Sequence, residues 1–327
     1  MKTYRRLFDG ITAFPNLLLA ARLAQRGKRF RGEVARFNFG LERNLLKLRE
    51  ELISGEWTPG EYHRFTVFEP KERPIVAAPY RDRVVHHALC NVIEPLFERG
   101  FMEESYACRE GKGTHAALDR AQHFLRLHKF VLRCDVRKFF FSINHETLYS
   151  LVSKKIACGR TLALIRKIIG LSGAGVPIGN LTSQLFANIY LNELDRFVKQ
   201  GLGRRGYLRY MDDFLVFGDC KRELAGIKDS IAGFLRDKLQ LELKANKSFV
   251  LPAWSGLGFL GFRLFPCYRR LDGANVAKFV RRYKEMRADW REVGLRAIKD
   301  SLRAWVAHTE HANTWNLRTE LLAGVNF

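Results

Sequence analysis

Two adjacent acids, Asp212 and Asp213, stand between apolar stretches in Arg209-Tyr210-Met211-Asp212-Asp213-Phe214-Leu215-Val216-Phe217. The pattern predicts a tight hairpin with two carboxylates at its tip, and negative charge gathered at the end of a buried hairpin calls for a cation. A third acid, Asp135, closes the apolar run Phe130-Val131-Leu132-Arg133-Cys134-Asp135. If the two strands are neighbours in one sheet, the carboxylates converge. Oxygen donors of this kind favour Mg²⁺ or Mn²⁺ over zinc. Two such ions about 4 Å apart activate a hydroxyl and stabilise a leaving pyrophosphate in an in-line phosphoryl transfer.

Around these acids the chain reads as an α+β mixture. Leu41, Leu45, Leu48 and Leu52 recur at three- and four-residue spacing and predict a helix that Ser54-Gly55 ends. From Tyr62 to Val76 the pattern turns β-like, with Glu69-Pro70-Lys71-Glu72-Arg73-Pro74 as the basic tip of a hairpin. Arg83 to Phe97 is a long amphipathic helix, and another runs to Leu127 from Thr114, read as its N-cap. Helical segments fill 144–170, 182–200 and 231–243. Leu257 to Phe265 is a hairpin-like pair rich in Gly and Phe, and 275–325 is a basic helical tail with Trp290, Trp305 and Trp315.

The 327 residues carry 56 Lys and Arg against 34 Asp and Glu, a net charge of +22. That excess is spread from Arg5 to Arg318 and fits a surface that follows a nucleic-acid backbone. At 47% hydrophobic and 12% aromatic content the composition excludes a disordered chain. No apolar run reaches the roughly 18 residues of a membrane span. The start, Met1-Lys2-Thr3-Tyr4-Arg5-Arg6-Leu7-Phe8-Asp9, lacks the apolar core of a signal peptide, so a cytoplasmic location without membrane contact is expected. The cysteines, Cys90, Cys108, Cys134, Cys158, Cys220 and Cys267, are too far apart for a zinc knuckle and are expected to be reduced.

Tyr210-Met211-Asp212-Asp213 between apolar strands, with the Asp135 strand upstream, resembles the palm of a reverse transcriptase, and the resemblance extends over roughly residues 30–270. Lys71-Glu72-Arg73-Pro74-Ile75 through Arg81-Asp82-Arg83-Val84-Val85-His86-His87-Ala88-Leu89 resembles the fingers and second motif of bacterial enzymes. Asp135-Val136-Arg137-Lys138-Phe139-Phe140 resembles the first carboxylate motif, and Val176-Pro177-Ile178-Gly179-Asn180-Leu181-Thr182-Ser183-Gln184 the template-and-nucleotide motif. Leu241-Glu242-Leu243 with Lys247 resembles the next, and Phe259-Leu260-Gly261-Phe262 the primer grip. The resemblance implies a right-hand polymerase: an N-terminal helical extension and start of the fingers at 1–60, fingers at 61–128, a palm of antiparallel sheet on helices at 129–265 with finger-side helices inserted at 144–185, and a small basic helical thumb at 266–327.

One motif departs from group II intron and retron enzymes, which typically carry Gln-Gly followed by Ser-Pro where this chain has Ile178-Gly179-Asn180-Leu181-Thr182-Ser183-Gln184. That form, with no maturase, RNase H or endonuclease module expected, is similar to the reverse transcriptases of diversity-generating retroelements in bacteria and phages. Tyr106-Ala107-Cys108-Arg109 and Gly113-Thr114-His115-Ala116 share the similarity. It implies an enzyme that copies a template-repeat RNA into cDNA with misincorporation at template adenines, so that mutagenic retrohoming rewrites a target gene. It further implies dNTPs, an RNA/cDNA duplex and a small basic accessory protein as partners. A retron-like or host-defence reverse transcriptase and a catalytically inactive basic RNA-binding scaffold are the alternatives.

Within that frame Asp135 and Asp212 are expected to bridge two Mg²⁺ ions, with Mn²⁺ as the alternative, Asp213 as the second turn carboxylate and the Val136 carbonyl as a further ligand. Lys71 and Arg73 are expected to meet the incoming triphosphate, since a basic hairpin closing over phosphates neutralises charge growing at the leaving group. Arg83 either touches template backbone or braces the fingers. The resemblance places Phe140 beneath the nucleotide sugar, where a ring leaves no room for a 2′ hydroxyl; Phe139 and Phe141 compete for that assignment. Gly179 lets backbone approach the nascent base pair, Ile178 offers it shape without a hydrogen bond, and Gln184 joins the template contacts. Lys247, with Lys244 as the alternative, is expected to protonate the pyrophosphate as a general acid. Phe259, Leu260 and Gly261 position the primer terminus, and Lys278, Arg281, Arg282, Lys284 and Arg287 fit a thumb that follows the duplex minor groove.

Overall fold

In the computed structural model, which describes residues 2–68, 72–170 and 175–323, the chain begins with helices α1 (Phe8–Thr12), α2 (Phe14–Ala24), α3 (Gly32–Phe39) and α4 (Leu41–Ser54). The leucine spacing buries Leu45, Leu48 and Leu52, and Gly55 closes α4 at φ +81°. β1 (His63–Phe68) and β2 (Glu72–Ala77) form a two-stranded hairpin separate from the other sheets. β2 starts at Glu72, so Arg73 and Pro74, expected in the turn, lie in the strand. Proline is tolerated there because a two-stranded ribbon is all edge. Lys71 lies outside the described residues.

α5 (Tyr80–Glu98) starts ahead of Arg83, and α6 (Thr114–Leu127) starts at Thr114. Thr114 is not its N-cap: Gly113, at φ +114°, holds that position, and the Thr114 hydroxyl lies 3.1 Å from the hydroxyl of Tyr210. β3 (Phe130–Asp135) leads into the short α7 (Phe139–Ser142), followed by α8 (His145–Ser153), α9 (Gly159–Ile169) and α10 (Leu181–Arg196). β4 (Tyr207–Tyr210) and β5 (Asp213–Gly218) form the acidic hairpin, and α11 (Lys221–Leu239) follows. The helix expected at 231–243 thus begins earlier, where Leu224, Ile227, Ile231 and Leu235 make one buried stripe, and stops before 243 as Gln240 turns left-handed. Residues 242–244 instead run beside the end of β3, through Arg137 N–H to the Glu242 carbonyl (2.8 Å) and Lys244 N–H to the Asp135 carbonyl (2.8 Å).

β6 (Phe249–Pro252) completes an antiparallel sheet in the order β4-β5-β3-β6, and β7 (Leu257–Phe259), β8 (Phe262–Leu264) and β9 (Arg269–Leu271) make a separate three-stranded sheet. The chain continues with α12 (Gly273–Ala288), α13 (Trp290–Val293), α14 (Leu295–Thr309) and α15 (Trp315–Leu322). No helix among the described residues is long and apolar enough to cross a membrane.

Strand alternation divides the large sheet between two cores. Leu132, Cys134, Tyr207, Phe214 and Val216 face a core shared with α5, α8, α10 and α11. Val131, Leu208, Leu215 and Phe217 face another, shared with α6, the three-stranded sheet and the stacked Phe279 and Trp305 of α12 and α14, whose rings lie 4.2 Å apart. Arg209 points into the first core and is fully buried. Its guanidinium grips Asp195 of α10 with Nε–Oδ1 and Nη2–Oδ2 distances of 2.7 Å each, and donates to Asn188 Oδ1 (3.3 Å), Ser105 Oγ (3.0 Å) and the Met211 carbonyl (3.1 Å). Tyr207 donates its hydroxyl to the same Asp195 at 2.7 Å. The pair therefore fixes the acidic hairpin against α10. Asp195→Ala leaves the guanidinium buried without its counter-charge and is expected to cost about 3–5 kcal/mol. Urea unfolding followed by circular dichroism measures this; a loss within about 0.5 kcal/mol, that of an ordinary surface change, would contradict it.

Candidate active site

The register of the large sheet sets Asp135 directly across from Asp213 and Tyr210 across from Asp213, leaving Met211 and Asp212 as the two-residue turn. Met211 sits at φ +54°, a left-handed conformation that costs a side-chain-bearing residue roughly 1 kcal/mol. The Arg209 guanidinium on its carbonyl helps hold it there. Just past β3, the Val136 N–H donates to the Asp212 carbonyl at 3.1 Å. All three expected acids, with Val136, thus gather at one end of one sheet.

Cations already neutralise two of these acids. The Lys247 ammonium lies 2.6 Å from Asp135 Oδ2, while the Lys244 N–H caps the Asp135 carbonyl, so Lys247, not Lys244, is the residue whose side chain meets an acid. Arg133 donates Nη2 and Nε to the two oxygens of Asp213 at 2.8 and 3.4 Å. Sequence reasoning missed Arg133, although its place two residues before Asp135 puts both on one face of β3. The Asp135 and Asp213 side chains are only 12% and 18% exposed. Burial first, and then the charges of Asp135 and Asp212, push the Asp213 carboxyl up from 3.8 to about 6 against the pull of Arg133. Among the described residues no three of His, Cys, Asp and Glu already form a cage for an ion. The donor set nevertheless fits a hard divalent cation, because the acids are all-oxygen donors, partly desolvated and crowded enough to push the Asp213 carboxyl up.

The hairpin β1–β2 meets the loop before α10. The Val76 N–H donates to the Ile178 carbonyl at 3.1 Å, adding the loop to the hairpin edge. Gly179 (φ +116°) faces Ile75 so closely that a β-carbon would lie 3.3 Å from its Cγ2. At the loop's start, a β-carbon on Gly175 would sit 2.1 Å from the Phe140 carbonyl, so only glycine fits. Val176 N–H also donates to that carbonyl at 2.8 Å. Between hairpin and loop opens a cleft of about 1180 Å³, lined among others by Tyr62, Arg64, Ile75, Phe141 and Ile178. Arg64 and Tyr62 were not singled out from the sequence. Tyr62 lies 3.4 Å from the Asn180 side chain, and its phenol is pushed up to about 12, chiefly by burial. Of the three consecutive rings, Phe139 is in the core, Phe140 is half-buried and Phe141 is exposed in the cleft.

The remaining expected residues are more scattered. Arg83 is engaged with Glu33 of α3 at 3.3 Å and lies over the Tyr80 ring. Gln184 is half-buried in the first turn of α10. Phe259 and Phe262 are buried in the second core, and the turn between them, Leu260 at φ +49° and Gly261 at φ +84°, is half-buried, with Leu260 packed against the same core.

A family model described as reverse transcriptase (RNA-dependent DNA polymerase) matches residues 68–264. The chain is 29% identical over 268 residues to protein YkfC of Escherichia coli, covering 66% of this chain and 70% of that protein. It is 22% identical over 296 residues to the group II intron-encoded protein LtrA of Lactococcus lactis, covering 68% of this chain and 49% of LtrA. Apo telomerase from Candida tropicalis, truncated from the C-terminal domain, matches with a TM-score of 0.53 at 13% identity, covering 66% of this chain and 55% of that one. The chain thus spans about half the length of LtrA and of the telomerase chain. The sheet, its helical backing and the likeness to the telomerase structure define a right-hand polymerase fold of α+β class. The chain belongs to the reverse transcriptase family, RNA-directed DNA polymerases.

Because the folded value of Asp213 lies above the unfolded one, its protonated form favours the folded state below pH 3.8, and that contribution is lost as pH rises through about 6. Metal-free protein is expected to lose thermal stability across this window, and Asp213→Asn to flatten the loss. Calorimetry at fixed ionic strength checks it; parallel pH profiles for the two proteins would refute the assignment.

Proposed function

We propose that this chain is the reverse transcriptase of a diversity-generating retroelement, copying a template-repeat RNA into cDNA with misincorporation at template adenines. The observation that carries this reading is the apolar Ile178 beside Gly179, where the loop is bonded to strand β2. A side chain without a hydrogen-bonding group supports a base pair by shape alone. It forgoes the discrimination that a polar partner supplies when a wrong base leaves it unpaired, about 1–3 kcal/mol.

Asp135, Asp212 and Asp213 would hold two divalent ions, Mg²⁺ by preference, with the Val136 carbonyl as a further ligand. When bound, such ions supply activation of the primer hydroxyl and neutralisation of the leaving pyrophosphate. Lys247, positioned at Asp135, gives a proton to the departing pyrophosphate oxygen. Lys71, with Arg73 of β2 and Arg64 in the cleft, balances the triphosphate charge. Phe140 fills the space beneath the sugar and excludes the 2′ hydroxyl. Arg83, Gln184 and the turn at Leu260 and Gly261, backed by Phe259, orient template and primer, and the basic helices from α12 onward follow the RNA/cDNA duplex as a thumb. In this reading residues 1–60 begin the fingers, 61–128 complete them, 129–265 form the palm and 266–327 the thumb. A small basic accessory protein completes the assembly.

Sequencing cDNA made by the purified chain with Mg²⁺, dNTPs, its cognate RNA and the accessory protein tests the reading. Errors concentrated opposite template adenines are expected, with no product from Asp212→Ala/Asp213→Ala. Accurate cDNA would move the reading to a retron-like enzyme, and RNA binding without product to a scaffold. Ile178→Gln is expected to lower adenine misincorporation by a factor of about three to ten, the worth of one net hydrogen bond; an unchanged error spectrum removes the role given to Ile178. Phe140→Ala is expected to admit rNTPs, scored as chain extension on ribonucleotides alone.

A further inference from the structure

Arg133 uses all three nitrogens of its guanidinium. Nη2 and Nε hold Asp213, at 2.8 and 3.4 Å, and Nη1 donates to the carbonyl of Gly258 at 2.5 Å. Gly258 belongs to β7, whose hairpin with β8 ends in the Leu260-Gly261 turn, and that hairpin is in a different sheet from Asp213. Among the described residues no strand ladder joins the two sheets, which meet through apolar packing of residues such as Val131, Leu215, Phe259 and Phe262. Apolar packing is non-directional, whereas a planar fork with fixed donor directions transmits orientation. Arg133 is thus a directional polar tie between the second turn carboxylate and the hairpin read as the primer grip. Its side chain is 21% exposed, so the fork can change partners without unfolding the core around it.

We propose that Arg133 is a positioning residue that couples occupancy of the acidic site to the placement of the β7–β8 hairpin. This rests on the reading of Asp135, Asp212 and Asp213 as a divalent-cation site. A cation held by Asp213 competes with the guanidinium for the same oxygens and repels it. The Gly258 carbonyl is the partner the fork already has, and it takes a larger share of the fork as Asp213 gives it up. The hairpin is then held more firmly when the acids are charged with metal than when they are not. Linkage makes the effect reciprocal: whatever seats the hairpin favours cation binding at the acids by the same factor. Seating of a primer end on the Leu260-Gly261 turn and loading of the acids become one event, without either ligand touching the other.

The test uses Mn²⁺ alone on the full chain, with no nucleic acid and no turnover. Calorimetry measures Mn²⁺ binding, and hydrogen exchange followed by mass spectrometry reads the amides of residues 257–264. In the wild type, saturating Mn²⁺ is expected to slow exchange in this hairpin by about fivefold, the low end of ordinary coupling between sites. In Arg133→Gln, Mn²⁺ still binds but the hairpin does not respond. Arg133→Lys, which keeps the charge and loses the fork, is expected to lose the response as well. Binding of Mn²⁺ to the wild type without slower exchange in the hairpin overturns the coupling and leaves the metal-site reading standing, as does an equal response in either variant. No binding of Mn²⁺ to the wild type overturns both.

Discussion

One buried ion pair fixes the geometry on which the rest depends. Arg209 and Asp195 are both wholly inaccessible, and between them they engage β4, α10, the segment around Ser105 and the carbonyl of Met211. Such a pair adds little net stability over well-packed apolar residues, because desolvation offsets most of the attraction. What it supplies is a unique arrangement, since a shift of β4 by one residue would turn the guanidinium out of the core and leave Asp195 buried and unpaired. α10, 16 residues long and so about 24 Å from end to end, starts where the Ile178-Gly179 loop stops. The pair therefore also sets the distance between that loop and the acids.

The acids are balanced in a complementary way. On one face of β3 an alternation of Val131, Arg133 and Asp135 places a cation beside the carboxylates, and the chain after α11 returns to lay Lys247 on Asp135. Two carboxylates facing each other across a strand pair would otherwise repel at short range. Each of the two carries its own cation, and the cations reach these largely buried acids from the more open side. Both Lys247 and Arg133 retain some exposure, 35% and 21%. Their attraction is weakened by solvent and can be outcompeted by a doubly charged ion.

The acids were legible because carboxylates at the ends of apolar runs break a pattern that otherwise calls for burial, and the register then brought Asp135 opposite Asp213. The helices and the two main hairpins were legible from periodicity. The partners of the acids were not, since Arg133 meets Asp213 80 positions away, and Gly258 125 positions away, through contacts that no local pattern encodes. One signal was present. Arg209 and Asp195 each occupy a position where the strand or helix pattern wants an apolar residue, and two such violations of opposite charge imply a buried pair. Thr114 misled because its hydroxyl, which could have capped α6, goes to Tyr210, and the start of α11 was missed because its first three residues are all charged and its early apolar stripe is only Leu224 and Ile227.

β3 serves two cores at once, Leu132 and Cys134 on one face and Val131 on the other, and both of its ladder neighbours come later in the chain. β5 begins at Asp213 and β6 ends at Pro252, so a ribosome that has just finished β3 at Asp135 has still to add over a hundred residues before the strand has two partners. At ordinary synthesis rates of about 5–20 residues per second this takes on the order of 6–24 s. Through that interval a strand of valine, leucine and cysteine has two unpaired edges, the condition under which chains pair with each other. The acidic end of the sheet therefore cannot be completed before β6 has been made. The longer that interval lasts, the longer both edges of β3 stay open to pairing with another chain.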